Sequence, residues 1–140
     1  MSDNKAKLKY IKNIINLPLH ERYDYFIRAC VDQSEVWAIE MNGGYVIFKD
    51  EKGDTIFPVY PDYDLSAELM FEEYKHDGAV PIKMSLESFI KNCIPDMIIE
   101  KIYFGIICNN DQYEAVPGSR LLKDLKSELE FFEQDDIPKY

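Results

Sequence analysis

The chain has 140 residues, of which 46% are hydrophobic and 30% charged. This composition is too apolar for a disordered chain, and the length suits one domain that buries its own core. The net charge is −10, but residues 1–31 hold six Lys/Arg against three acids, so the remaining residues carry −13. Such an acidic surface repels nucleic-acid phosphates and anionic lipids. We therefore expect no direct nucleic-acid binding and no membrane binding, and favour a basic protein partner.

The three cysteines, Cys30, Cys93 and Cys108, lie in apolar surroundings without a Cys-x-x-Cys spacing. An odd number argues against a disulfide framework, so we predict buried, reduced thiols. No apolar run resembles a signal peptide or reaches the roughly 18 residues of a membrane span. Together these features predict a cytoplasmic protein.

Two helices are predicted to begin the chain. The first covers residues 4–16, where Leu8, Ile11, Ile14 and Ile15 recur at helical spacing. Its lysines would also suit an anionic membrane surface, but we expect its apolar face to pack on the domain. The second helix covers residues 19–31 after Pro18, and its inner face carries Tyr23, Phe26, Ile27 and Cys30.

A meander of three short strands is predicted next, over residues 36–41, 45–49 and 55–60. Asn42-Gly43-Gly44 supplies a tight hairpin turn, and Pro58 favours an edge position for the third strand. The next elements are a helix over 65–74 capped by Asp64, a strand over 80–84, a helix over 86–93 ended by Pro95, and a strand over 98–108. A last helix begins at Gly118 or Ser119, and its inward residues are Leu121, Leu122, Leu125, Leu129 and Phe132.

This order predicts a single α+β domain over residues 1–140. We expect a mixed or mostly antiparallel sheet of about five strands, with helices packed on one face and two helices leading. An acidic, loose tail is expected from about residue 133. No repeat or linker indicates a second domain.

Known catalytic and ligand-binding patterns are weak or absent. A Cys/His-dependent hydrolase or transferase using Cys93 or Cys108 with His76 is an alternative, although thiols in apolar patterns are usually inert. Asp62, Asp64, Ser66 and Glu73 match four positions of a calcium loop, but Ala67 occupies the position that requires glycine. We predict no catalytic residue, metal site or cofactor.

The aromatic residues of the first half are the most suggestive group, because Trp and Tyr are enriched where proteins bind proteins. We assign Trp37 and Phe57 to the core. The strand end and the following turn predict an exposed aromatic and acidic patch of Tyr60, Pro61, Asp62, Tyr63 and Asp64. The leading hypothesis is a non-enzymatic module whose acidic aromatic face engages a basic protein, in the manner of an immunity protein. An acidic mimic of nucleic acid is a further alternative.

Several motifs in fixed order resemble a known bacterial family. They are Glu21-Arg22-Tyr23 with Tyr25-Phe26, then Glu35-Val36-Trp37, then Phe57-Pro58-Val59-Tyr60-Pro61, and a helix that contains Ala67. Together they resemble the domain-of-unknown-function 2750 family over roughly residues 15–130. The family pattern has Trp at the position of Tyr60 and a shorter lead-in, which marks a divergent member. The resemblance implies no catalytic residues, because the family has none assigned.

Overall fold

Helices and two β-sheets make up the computed structural model, which describes residues 2–110 and 112–135. The helices are α1 (Ser2–Ile15), α2 (Leu19–Gln33), α3 (Tyr63–Leu69), α4 (Glu72–His76), α5 (Leu86–Ser88), α6 (Ile94–Ile99) and α7 (Gly118–Asp135), with a π-helical turn (Phe89–Cys93) between α5 and α6. The strands are β1 (Glu35–Met41), β2 (Gly44–Tyr45), β3 (Phe48–Lys49), β4 (Thr55–Val59), β5 (Val80–Ser85), β6 (Tyr103–Asn109) and β7 (Gln112–Val116). The α+β class is confirmed.

The strands of the described residues form two sheets, in the orders β2-β1-β5 and β3-β4-β6-β7. Every pairing is antiparallel except that of β4 with β6, which is parallel. One antiparallel bridge joins the sheets, where the backbones of Trp37 and Tyr60 exchange two hydrogen bonds of 2.8 Å. The predicted single sheet of about five strands is therefore wrong, because β4 pairs with β3 and β6, and the described residues join β1 to this sheet by the one bridge at Tyr60, just after β4.

The first hairpin explains part of this division. Asn42 and Gly43 have φ of 54° and 81°, as the predicted tight turn requires. The predicted strand 45–49 is interrupted, since β2 pairs with β1 whereas β3 pairs with β4 in the other sheet. Strand β7 was not predicted. It lies where the sequence pattern indicated only a turn before the last helix.

Pro95 does not end a helix as predicted. The π-helical turn precedes it, with the backbone N–H of Ile94 bonded to the carbonyl of Phe89, and the chain then continues as α6. A wider turn accommodates the missing N–H and the ring of proline. The helix ends at Ile99, and Lys101, two residues later, has φ of 59°, while the N–H of Ile102 bonds to the carbonyl of Met97 at 2.9 Å. This left-handed cap places the start of β6 five residues later than the predicted 98.

The predicted helix over 65–74 is two helices, α3 and α4. Met70 and Phe71 between them have extended ψ angles of 148° and 140°. The cap of α3 is Asp62 rather than the predicted Asp64, because the Asp62 side chain accepts the N–H of Leu65.

The core confirms much of the predicted apolar pattern. Ile11 and Ile14 of α1 are buried, so this helix packs on the domain, and Phe57 is 1% exposed. Phe132, predicted to face inward, is 41% exposed. Helix α7 continues to Asp135, so the predicted loose tail does not begin at 133. Its remainder, residues 136–140, lies outside the described residues.

Candidate functional site

The predicted patch of Tyr60 to Asp64 divides into buried and accessible members. Tyr60 is only 1% exposed, and its hydroxyl donates to the backbone oxygen of Cys108 at 3.3 Å. Pro61 is buried as well. The predicted exposure of these two residues is wrong, because the bridge to Trp37 draws the end of β4 into the junction between the sheets.

Asp62 is held by hydrogen bonds to both of its carboxylate oxygens. Oδ1 accepts the N–H of Leu65 at 2.8 Å, and Oδ2 accepts the hydroxyl of Tyr10, which also bonds to the hydroxyl of Tyr25. This network connects α1, α2 and α3. Burial and then the hydrogen bond to Asp62 raise the pKa of Tyr10 far above its ordinary value, so its hydroxyl stays protonated.

Tyr63 and Trp37 form an aromatic pair at the surface. Tyr63 is 54% exposed, and its ring meets the half-buried ring of Trp37 edge-on at a centroid distance of 5.6 Å. The indole Nε1 of Trp37 donates to Glu35 Oε1 at 3.2 Å. Asp64 is half-buried beside them. Trp37 is therefore less enclosed than predicted, and a carboxylate fixes its ring.

A groove of about 670 Å³ lies next to this pair, where the C-terminal halves of α2 and α7 approach the turn before α3. Its walls hold a set of carboxylates that we call, with their neighbours, the acidic groove: Asp32, Glu35, Asp62 and Glu128, with Tyr25, Pro61 and Phe132. Arg28 is the one Lys or Arg among the lining residues. Glu35 belongs both to the groove and to the Trp37 contact, so the aromatic pair is joined to its rim.

The motifs in the strands and helices that build this groove match a known family. The model of the family described as "Protein of unknown function (DUF2750)" matches residues 23–125. The chain belongs to this family. The match includes the groove residues on α2, on β1 and in the turn before α3, and ends before Glu128 and Phe132. A comparison with curated proteins finds no match.

Arg22 is a buried charge of this DUF2750 chain, with 2% exposure. Its guanidinium donates to three backbone oxygens, at 2.7 Å to Ile15, 3.2 Å to Ile107 and 3.4 Å to Gln112. Burial lowers its pKa. Ile107 has φ of 48° at the irregular pairing of β6 with β7, so Arg22 fixes this distortion against the end of α1. Its role is to hold elements together.

The thiols of the DUF2750 chain do not resemble activated nucleophiles. Cys30 and Cys108 are fully buried, and Cys93 is half-buried rather than buried as predicted. Burial raises the pKa of all three, to about 12 for Cys93. Within the described residues no hydrogen bond joins a cysteine to His20 or His76, and both imidazoles are exposed. The contact demanded by a Cys/His mechanism is not formed.

The acids of the described residues do not converge as metal ligands. No group of three or more His, Cys, Asp or Glu side chains there is placed to hold an ion. In the calcium-loop pattern, Asp62 is occupied by its hydrogen bonds, and Ser66 Oγ donates to the carbonyl of Tyr63 at 2.8 Å. In the same part of the chain no helix has the length and apolar character needed to cross a bilayer.

Sequence reasoning missed most of the groove. Asp32, Glu35, Glu128 and Phe132 are ordinary polar or helical residues in the sequence pattern, and they meet only because α2 packs along α7. The usable signal was the aromatic residue Tyr25 within the family motif. Nothing in the local pattern indicates that residue 128 lies near residue 32.

Proposed function

We propose that this protein is a non-catalytic, cytoplasmic module that binds a basic segment of a partner protein in the acidic groove. The observation that carries the proposal is the lining of the groove, where the described residues include four carboxylates and one arginine on a chain of net charge −10. Such a surface attracts Lys and Arg side chains and accelerates their encounter. The three unpaired thiols agree with a reducing compartment.

The aromatic pair supplies the apolar part of this interface. Trp and Tyr are enriched among residues that dominate binding energy, and they lose little conformational freedom on binding. The Trp37 ring is already fixed by Glu35 and by its contact with Tyr63. When a basic side chain of the partner binds in the groove, an apolar part of the partner next to it would pack on the ring of Tyr63. Asp64, the residue after Tyr63, lies outside the lining of the groove.

A partner of this kind is a basic toxin that an immunity protein blocks. The groove offers such a protein the electrostatic complementarity on which fast, salt-sensitive inhibition depends. The absence of a cysteine–histidine contact among the described residues gives no support to the alternative of a Cys/His-dependent enzyme.

The test uses Trp37, the only tryptophan in the chain, as a fluorescent reporter beside the groove. An arginine-rich peptide is titrated into the protein at low and at physiological salt, with calorimetry for the affinity. We expect a saturable change in Trp37 emission and an affinity that falls as salt rises. A peptide of the same length with glutamate in place of arginine should not bind.

A charge-matched pair of variants separates the groove from the overall charge. Glu35→Gln keeps an acceptor for the Trp37 indole but removes one groove charge and its ion pair of 3.7 Å with the exposed Lys83, whereas Glu100→Gln removes one charge at the exposed end of α6. We expect Glu35→Gln to weaken binding by roughly fivefold to tenfold, since a close interfacial charge pair contributes about 1–1.5 kcal/mol. Glu100→Gln should have little effect. Equal effects of both variants would show non-specific attraction and reject the proposal.

A further inference from the structure

A second and larger cavity, of about 760 Å³, shares no lining residue with the acidic groove. It lies between the β3–β4 turn, the residue before α4, and β7. We call it the aromatic cleft, and its main walls are Phe48, Phe71, Tyr113 and Leu19, with Lys49 and Lys52. Its volume is in the range of pockets that hold small organic molecules.

The aromatic wall is formed before any ligand arrives. The ring of Phe48 lies 5.3 Å from that of Phe71 and 5.7 Å from that of Tyr113, and the second contact is edge-on at 87°. Phe71 also stacks on Tyr74 at 5.5 Å. These half-buried rings support one another, so the cleft keeps its shape.

Gly105 on β6 leaves the space that this arrangement of side chains needs. A Cβ at this position would lie 2.6 Å from Ile56 Cγ2, 2.7 Å from Cys108 Sγ and 3.6 Å from the Tyr113 ring. Because the position has no side chain, Ile56 and Tyr113 close over β6. The wall is thus part of the packed sheet rather than a loose loop.

The charged side chains that line the cleft differ in the partners they have. Of the lining carboxylates, Asp50 Oδ1 accepts the N–H groups of Lys52 and Asp54 at 3.0 and 2.9 Å, and Glu114 Oε1 is paired with Arg120 at 2.9 Å. Glu51 is exposed in the turn. The ammonium groups of Lys49 and Lys52 form no ion pair with any described residue. The lining thus carries three carboxylates and two lysines, and an anion at the rim would meet the two exposed ammonium groups.

We propose that the aromatic cleft binds a small planar aromatic carboxylate. Its ring would lie against Phe48, Phe71 and Tyr113, where offset or edge-on aromatic contacts are favourable. Its carboxylate would reach Lys49 and Lys52, whose charges are the opposite of those that dominate the acidic groove. The protein thus holds a site for an aromatic anion as well as the acidic groove.

Three naphthalene probes of one shape test the charge class. Naphthoate, naphthamide and naphthylmethylammonium are titrated into the full chain by calorimetry, and ligand-to-protein NMR contacts locate the ring against Phe48 and Tyr113. We expect naphthoate to bind about threefold or more tightly than naphthamide, as exposed ion pairs allow, and the ammonium to bind weakest at the cleft. Failure of all three to bind, or a preference for the ammonium at the cleft, would overturn the proposal.

Lysine variants then assign the preference to the cleft. Lys52→Gln and Lys49→Gln should each reduce the ratio of naphthoate to naphthamide affinity, whereas Lys126→Gln, an exposed lysine on α7 outside the lining, should leave it unchanged. All three substitutions are on exposed side chains, so the fold should tolerate them. A ratio that falls equally in all three variants would show a general charge effect and reject the site. The arginine-rich peptide measures the acidic groove separately.

Discussion

The acidic groove and the aromatic cleft share α2 but are built from different contacts. Leu19 at the start of this helix lines the cleft, while Arg28 and Asp32 near its end line the groove. The cleft is formed by packed rings from β3, β7 and the residue before α4, and the groove by carboxylates that converge from segments distant in sequence. One helix therefore contributes to two surfaces, one walled mainly by aromatic rings and the other mainly by carboxylates.

The two regions should also respond differently to substitution. The cleft depends on close packing, where small changes of volume are costly. The groove depends on hydrogen bonds between side chains that are half-buried, where the loss of one partner costs less. The difference predicts that single substitutions at the cleft affect the free energy of unfolding more than those at the groove.

The largest effect is expected for Gly105→Ala. The added Cβ would lie 2.6 Å from Ile56 and 2.7 Å from Cys108, so the sheet must shift. We expect a loss of about 2–3 kcal/mol in the free energy of unfolding, measured by urea denaturation. Gly44→Ala is the matched control, because no atom would lie within 4 Å of a Cβ added there, and it should change stability by at most about 0.5 kcal/mol. Equal losses would show that the cleft is not tightly packed.

The next largest effect is expected for Arg22→Met at the start of the shared helix. The substitution leaves the carbonyl groups of Ile15, Ile107 and Gln112 without their buried donor. We expect a loss of about 2 kcal/mol in the free energy of unfolding, again by urea denaturation. The exposed Arg28→Met on the same helix should cost at most about 0.5 kcal/mol. If both variants were equally stable, Arg22 would not hold α2 in place.

Local sequence signals predicted the elements better than their assembly. The Asn42-Gly43 turn and the burial of Ile11 and Ile14 on α1 follow from rules that act within a few residues, and both are confirmed, although Leu8 on the same predicted face is exposed. The division into two sheets follows from the pairing of β4 with β6, and the bridge between Trp37 and Tyr60 joins the two sheets. No local pattern specifies either contact, and the bridge also accounts for the burial of Tyr60.

The predicted helix boundaries were wrong where two local preferences competed. A proline such as Pro95 normally ends a helix, but the π-helical turn before it accommodates the proline ring and its missing N–H, so α6 can form.

The groove could not be predicted for another reason. Asp32, Asp62 and Glu128 come from three separate segments, and charge in a sequence shows no direction in space.

A smaller effect is expected for Asp62→Ala at the groove. The substitution removes the cap of α3 and the acceptor for the Tyr10 hydroxyl. We expect a loss of about 1–2 kcal/mol in the free energy of unfolding and weaker binding of the arginine-rich peptide. The control is Asp64→Ala, two residues later in the first turn of α3, which should cost about 0.5 kcal/mol. Naphthoate binding at the cleft should not change in either variant, and a parallel loss at both regions would contradict their independence.

The smallest effect compares tyrosines of the two regions at high pH. Burial raises the pKa of Tyr10 at the groove far above 10 and that of Tyr113 at the cleft to about 12. A tyrosine whose pKa is higher in the folded than in the unfolded chain contributes its full stabilisation below about pH 10. Above about pH 10 the tyrosine ionises in the unfolded chain, and this stabilisation declines. The free energy of unfolding of the wild type, relative to that of Tyr10→Phe, should therefore fall by less than about 1 kcal/mol between pH 10 and pH 11.

Urea denaturation at pH 8, 10, 11 and 12 measures this change, with Tyr63→Phe as the control because its hydroxyl bonds to no described residue. Tyr113→Phe should follow the same trend up to about pH 11, after which its effect levels off towards pH 12. The Tyr10 effect should continue to grow through pH 12, because burial and the hydrogen bond that its hydroxyl donates to Asp62 keep it protonated in the folded chain. Identical curves for the two variants would mean that the hydrogen-bonded network of the groove protects its tyrosine no better than the packed rings of the cleft.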